Sequence, residues 1–178
     1  MIKITLPKIS LVIGGAASGK SKYAESIVMS SGLPRSYIAT AQVYDTEIEA
    51  KVTKHKAQRG SGWQTFETPY APWDALAKIA PPSAVLLDCV TLWLSNIMLD
   101  EQNLDIAKQN LFARLQDFDG HIVIVTNEVG QGVVPDNALA RNFRQKQGEL
   151  NQELAAIADL VVLVTAGLPL ALKGHLPQ

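Results

Sequence analysis

The sequence predicts an α/β protein: one phosphate-loop-type domain over residues 1–178, with a mainly parallel sheet covered by helices on both faces. Two observations predict it. Short, strongly apolar runs at 9–13, 84–89, 122–126 and 160–164 alternate with longer stretches of helical periodicity, the pattern of strands joined by helical crossovers. The first run passes directly into a glycine-rich turn and then an amphipathic helix. At 178 residues the chain is long enough to bury one substantial core.

Residues 1–8 read as a lead-in to the strand ISLVI at 9–13. Gly14, Gly15, Ala16, Ala17, Ser18, Gly19, Lys20 and Ser21 follow, matching GxxxxGK[ST] in the strand-to-helix setting that gives the pattern its meaning. Glycines let successive N–H groups turn inward around phosphate oxygens, and the helix that opens there adds the positive end of its dipole. Lys20 is expected to reach the β- and γ-phosphates of a nucleoside triphosphate, and the Ser21 hydroxyl to ligate magnesium.

The first helix is expected over 20–30, with Tyr23, Ala24, Ile27 and Val28 on one face, stopped by SGLP at 31–34. Residues 36–41 read as a second strand ending in small and hydroxyl residues, as suits a strand terminus facing a ligand. A second helix is expected from Asp45 or Thr46 to Gln58, with Ile48, Val52 and His55 on one face. WQTFET at 63–68 alternates like a half-buried strand, and a short helix is expected over 73–79. The strand 84–89 reaches Asp88, where a magnesium-directed carboxylate belongs in a phosphate-loop protein; Cys89 reads as core packing. Helices at 92–99 and 106–118, a buried strand at 122–126 and a long helix over 137–158 follow. The loop 129–135 carries two glycines and a proline at the expected ligand edge. After the strand at 160–164, the tail 166–174 reads as either a further strand or a turn.

Composition excludes other classes. Sixteen basic and 17 acidic residues leave a net charge of -1, with no basic footprint for nucleic acid. No stretch has the roughly 18 apolar residues of a membrane span, and the first residues lack the pattern of a signal peptide. Cys89 is the single cysteine, so neither an internal disulfide nor a cysteine-rich metal site is available. A cytoplasmic enzyme fits these bounds.

The three histidines differ in promise. His121, after Asp119-Gly120, reads as a surface turn residue, and His175 sits near the end of the sequence. His55 is flanked by Lys54, Lys56 and Arg59, positive neighbours that can bind phosphate and keep an imidazole neutral and nucleophilic. On the residues alone, two roles stay open for it: a packing residue completing the Ile48–Val52 stripe, or a nucleophile.

Taken together, the motifs resemble the bifunctional adenosylcobinamide kinase / adenosylcobinamide-phosphate guanylyltransferase family of cobalamin biosynthesis. The matching pieces are GGAASGKS (14–21), YIATA (37–41), the D-x-E…H-K-x-x-R stretch (45–59) and W-x-T-x-E (63–67). LLDCVTLWLSN (86–96), VTNEVGQGVVP (125–135), R-x-F-R (141–144), G-x-L-N-Q (148–152) and AGLPLALKG (166–174) continue the match. The resemblance implies two activities: phosphorylation of adenosylcobinamide by ATP or GTP, then transfer of GMP from GTP through a guanylyl-histidine. It places the histidine at His55 and the nucleotide contacts at residues 14–21, Ala39, Thr40, Ala41, Lys56, Ala57, Gln58, Arg59, Glu67 and Asp88. Magnesium would lie at Ser21 and Asp88.

The family's loop usually reads GGxRSGKS, and Ala17 stands here in place of its arginine. The backbone cradle is kept while one positive side chain is lost, so the resemblance implies guanylyl transfer more firmly than the kinase step. A corrinoid substrate overhangs a domain of this size, and a homo-oligomer such as a trimer, with a site shared between subunits, is expected. Two other readings stand beside this one: a small-molecule kinase without a covalent nucleotidyl intermediate, and a nucleotide-gated assembly module.

Overall fold

A computed structural model describes residues 6–42 and 60–177. Over them the chain runs β1 (Ile9–Gly14), α1 (Lys20–Ser30), β2 (Arg35–Ala39), β3 (Trp63–Glu67), α2 (Pro72–Leu76) and β4 (Ala84–Asp88). It continues α3 (Val90–Leu99), α4 (Leu104–Asp117), β5 (His121–Asn127), α5 (Ala138–Ile157), β6 (Leu160–Thr165) and β7 (Leu168–Lys173). The strands form one seven-stranded sheet in the order β3-β2-β4-β5-β1-β6-β7. Every pairing is parallel except β6 with β7. The expected single, mainly parallel α/β domain is what forms.

The central strands are apolar at consecutive positions because both sheet faces are covered, and alternate residues serve opposite layers. Leu11, Val85, Leu87, Ile122 and Ile124 pack with Trp93, Leu94, Ile97, Leu111, Leu115, Leu150 and Leu154 from α3, α4 and α5. Val12, Leu86, Val123, Val125 and Val162 pack with Ala24, Ile27 and Val28 of α1. Trp93 fills the centre of the first layer, fully buried, and its indole N–H donates to the Tyr70 carbonyl at 2.9 Å.

Local signals set the ends. Asn103 Oδ1 accepts from the Ile106 N–H at 3.1 Å and Asn137 Oδ1 from the Ala140 N–H at 2.8 Å, each opening a helix. The Asn103 cap explains why α4 begins earlier than its apolar periodicity suggests. Lys173 Nζ reaches back to the Ala155 and Ala156 carbonyls at 3.1 and 3.0 Å, placing a positive charge on the last turn of α5.

Three expectations need restating. The 166–174 tail is a strand: Ala166 and Gly167 turn with φ of 52° and 78°, and β7 returns antiparallel along β6. His121 begins β5 instead of occupying a turn, half-buried with its Nδ1 3.0 Å from the Pro7 carbonyl. The second strand stops at Ala39, short of Thr40 and Ala41. The helix expected over 45–58 lies outside the described residues.

Replacing Trp93 with alanine removes the largest side chain of the first layer. Trp93→Ala is expected to cost about 3–5 kcal/mol of unfolding free energy, read from urea denaturation.

Candidate active site at the carboxyl edge of the sheet

The phosphate loop spans the end of β1 and the first turn of α1. It is tight because its glycines are crowded: a Cβ on Gly14 would lie 2.5 Å from both the Val164 carbonyl oxygen and Ser18 Oγ. Gly19 holds φ at 93°, a left-handed conformation that side chains resist, and a Cβ there would meet Gly167 Cα at 3.1 Å. The turn between β6 and β7 braces the loop from behind, the Gly167 N–H donating to the Ser18 carbonyl at 2.8 Å.

Several donors converge here with few acceptors among the described residues. Gly19 is the residue preceding α1 and supplies no side-chain cap, so the first-turn N–H groups lack an intrahelical partner. Ser18 Oγ is buried with no hydrogen-bond partner among the described residues. Lys20 Nζ uses one proton on the Gly15 carbonyl at 3.0 Å. Burial lowers the Lys20 pKa, and its neighbours Cys89 and Asp88 work against that shift. An anionic ligand fits this cluster, because oxygens of negative charge would accept the idle N–H and O–H groups and offset the desolvation of Lys20.

Register sets the acidic side. Ala39 pairs with Glu67 on one side and with Asp88 on the other, so the ends of β3, β2 and β4 form one row. Asp88 Oδ2 accepts from the Tyr37 hydroxyl at 3.1 Å, and Lys20 lies close enough for attraction. Thr40 is fully buried and ties this row together. Its hydroxyl donates to the Cys89 carbonyl at 2.6 Å and accepts from the Cys89 N–H at 3.0 Å. Asn96 Nδ2 clamps the Thr40 and Pro69 carbonyls at 2.8 and 3.0 Å.

Cys89 packs in the core as expected and also opens α3, its sulfur accepting from the Leu92 N–H at 3.5 Å. Burial first, and then the charge of Asp88, push its thiol up to about 12. It is chemically quiet.

Beyond β5, the Glu128 N–H donates to the Gly14 carbonyl at 3.1 Å, joining the 128–137 segment to the phosphate loop. Glu128 Oε1 accepts from the Gly130 N–H, and the Gly130 carbonyl accepts from Arg144 of α5. Arg141 holds the Pro135 and Asp136 carbonyls at 3.0 and 2.7 Å. Between this loop and α5 lies a cleft of about 390 Å³, while Val133 at the crest is 94% exposed.

Of the sequence-predicted residues, Gly14 to Ser21 form the loop, with Gly15, Ala16 and Ala17 exposed at its crest. Ala39, Thr40, Ala41, Glu67 and Asp88 gather along the same sheet edge, the Thr40 hydroxyl being committed to Cys89. His55, Lys56, Ala57, Gln58 and Arg59 lie outside the described residues. Sequence reasoning missed Tyr37 as the partner of Asp88, and it missed the polar residues behind Asn127. A tyrosine two residues before the end of β2, on the face that packs on α1, was the available signal for the first.

This fold and this loop define a nucleotide-binding α/β protein of the phosphate-loop class. Solved structures share that architecture. The flagellar accessory protein FlaH of Methanocaldococcus jannaschii aligns with a TM-score of 0.54 at 12% identity, covering 96% of this chain and 80% of that one. A prototypical ATPase from the type III secretion system of pathogenic bacteria aligns at 0.53 and 13%, covering 90% of this chain and 52% of that one. At such identities the likeness concerns fold alone.

Sequence comparison goes further. Residues 10–172 match the family described as cobinamide kinase / cobinamide phosphate guanyltransferase. The bifunctional adenosylcobalamin biosynthesis protein CobP of Pseudomonas aeruginosa is 43% identical over 168 residues, 93% of this chain and 97% of that protein. CobU of Salmonella typhimurium, of the same description, is 40% identical over 181 residues, 92% and 98% respectively. The chain belongs to the cobinamide kinase / cobinamide phosphate guanyltransferase family.

A thiol held that far above its ordinary pKa presents almost no thiolate at mildly alkaline pH. Cys89 is expected to resist a disulfide exchange reagent in the native protein and to react fully in denaturant, as followed by absorbance of the released thiol.

Proposed function

We infer that this chain is a bifunctional enzyme of adenosylcobalamin biosynthesis: a cobinamide kinase and a cobinamide phosphate guanylyltransferase. The family match over residues 10–172 is the observation that carries the reading. A kinase with no nucleotidyl transfer is not favoured, because the family and the relatives of similar length are described by both activities or as bifunctional.

The phosphate chain of the nucleotide, from ATP or GTP for the kinase step, lies in the 14–21 loop. Loop N–H groups and Lys20 neutralise the charge that grows on its oxygens during transfer. In the second reaction the His55 imidazole attacks the α-phosphorus of GTP. An N–P bond forms, the bond to pyrophosphate breaks, and the cobinamide phosphate oxygen later displaces the histidine to give the GDP ester. Two displacements replace one difficult step. Lys56 to Arg59, Ala39 to Ala41, Glu67 and Asp88 are the further nucleotide contacts of this reading. Lys56 and Arg59 add positive charge beside the transferred phosphate.

Ser21 and Asp88 are the residues that would hold magnesium. Their hydroxyl and carboxylate oxygens are hard donors. An ion held there would take most of its remaining ligands from phosphate and water. When bound, the ion neutralises charge shared between adjacent phosphates.

Two further elements belong to this reading. Leu168, Leu170 and Leu172 are 72%, 59% and 59% exposed along one face of the edge strand β7, which supports burial against another copy in a homo-oligomer, a trimer being one such assembly. Among the described residues no helix is long and apolar enough to cross a membrane. The reading takes the chain as a cytoplasmic enzyme acting on small molecules and not on nucleic acid.

Incubation with α-labelled GTP and magnesium tests the carrier. Label is expected to stay on the denatured wild-type protein, labile to acid and stable to base, and to be absent from His55→Ala. Equal labelling of the two, or none of the wild type, would remove His55 from this role. Ala17 stands where the family usually has arginine, at φ 55° on the exposed crest of the loop. Ala17→Arg is expected to raise cobinamide phosphorylation about two- to fivefold, the scale of a partly exposed charge contact, without changing label uptake from GTP.

A further inference from the structure

We propose that the cleft between the 128–137 loop and α5 receives the carboxamide-edged corrin ring of cobinamide, holding it beside the phosphate loop. The proposal rests on the reading above that cobinamide is the acceptor in both reactions, and it assigns that acceptor a place on this chain.

One face of α5 forms the cleft wall. Arg141, Arg144, Gln145, Gly148 and Gln152 follow one another at helical spacing, and all of them line the cleft. Gly148 is the unexpected member. It stands near the middle of a 20-residue helix, where glycine weakens the backbone more than any residue but proline. Packing does not require it. Among the described residues, no atom beyond the helix backbone and the two chain neighbours lies within 4 Å of where its Cβ would sit. A glycine that no neighbour demands, on the wall of an open cleft, leaves room for something other than protein.

The polar groups around that room suit a neutral ligand with both donors and acceptors. Arg141 Nη1 is spent on the Pro135 and Asp136 carbonyls at 3.0 and 2.7 Å, and Arg144 Nη2 donates to the Gly130 carbonyl. A guanidinium has five N–H donors, so these bonds hold both forks in place and leave further donors to offer. Glu149, also on the cleft, supplies acceptors. Its Oε1 accepts from Gln145 Nε2 at 3.0 Å and its Oε2 from Lys146 Nζ at 2.9 Å, and each oxygen has a second lone pair. That carboxylate opposes a polyanion such as a second nucleotide. A primary amide, by contrast, turns its carbonyl to the arginines and its N–H groups to the glutamate. Cobinamide is a macrocycle edged with such amides. Val133 and Val134, 94% and 64% exposed on the loop, give its apolar ring surface to lie against. At about 390 Å³ the cleft takes one edge of the ring and leaves the rest overhanging.

Location joins this cleft to the chemistry. Gly130, on its wall, is two residues from Glu128, whose N–H bonds the Gly14 carbonyl at 3.1 Å. Two residues of chain span at most about 7 Å. The flexible aminopropanol arm, which ends in the hydroxyl to be phosphorylated, therefore has a short way to go.

The test is equilibrium dialysis of dicyanocobinamide against the intact protein, followed by visible absorbance, in the presence of a non-hydrolysable ATP analogue and magnesium. Gly148→Leu fills the room with a residue that favours the helix, so its thermal midpoint is expected to hold or rise. Its dicyanocobinamide affinity is expected to fall about fivefold or more, the scale of one hydrogen bond, while its affinity for the analogue stays within about twofold. Glu149→Ala removes the acceptor, is expected to lose affinity on the same scale, and carries the test if the leucine variant does not fold. A fall of less than about fivefold in the variant that carries the test, or an equal fall for the analogue, overturns the proposal. The wild type separates the levels. If it binds the analogue but no dicyanocobinamide, the acceptor reading falls too; if it binds both and the variants keep its affinities, this inference alone falls.

Discussion

The close approach of backbone to backbone at Gly14 is the constraint on which the site depends. With Val164 O and Ser18 Oγ both 2.5 Å from where a Cβ would sit, β1, β6 and the loop are pressed together at one point. That contact turns the loop off the end of the sheet. It brings the first turn of α1 over the strand ends and lets the Glu128 N–H bond to the Gly14 carbonyl. Parallel register then carries the alignment outward, from Gly14 to Asn127 and from Val125 to Asp88, Ala39 and Glu67. A side chain at Gly14 would displace the loop from its neighbours, whatever its polarity.

Around that point the sheet edge is fastened by polar clamps, in contrast to the apolar layers beneath. Thr40 locks the end of β2 to the Cys89 peptide, Asn96 holds Thr40 and Pro69 together, and Thr91 with Asn151 grips Asn127. Strand ends have backbone groups with no ladder partner, and burying them unpaired is costly. Side chains from α3 and α5 meet that need. The same helices that close the core therefore also hold the strand termini to which phosphates would bind.

Much of this was legible in the sequence because it rests on local pattern. The loop GGAASGKS announces itself by glycine spacing, the central strands by consecutive apolar residues, and Asp88 by its place after such a run. Strand order was not legible, since any permutation of parallel strands buries the same residues. For that reason Asn127 reads only as the end of a strand until β5 is seen between β1 and β4. The tail was ambiguous because PLALKG alternates as a strand while AGLP reads as a turn, and the chain uses both. Tyr37 reads only as a strand residue, and its hydroxyl ends on Asp88. His55, singled out by its charged neighbours and by family likeness, lies beyond the described residues.

The 128–137 loop is anchored at both feet: Glu128 and Arg144 hold Gly130, and Arg141 holds Pro135 and Asp136. Between the anchors stand Gln131 to Val134, all exposed. The span behaves as a footbridge whose deck can be lengthened or rebuilt without loosening its piers. Grafting a few residues at Val133 leaves the strand end and the helix where they are, so the breadth of the adjoining cleft can diverge between relatives while the phosphate chemistry stays fixed.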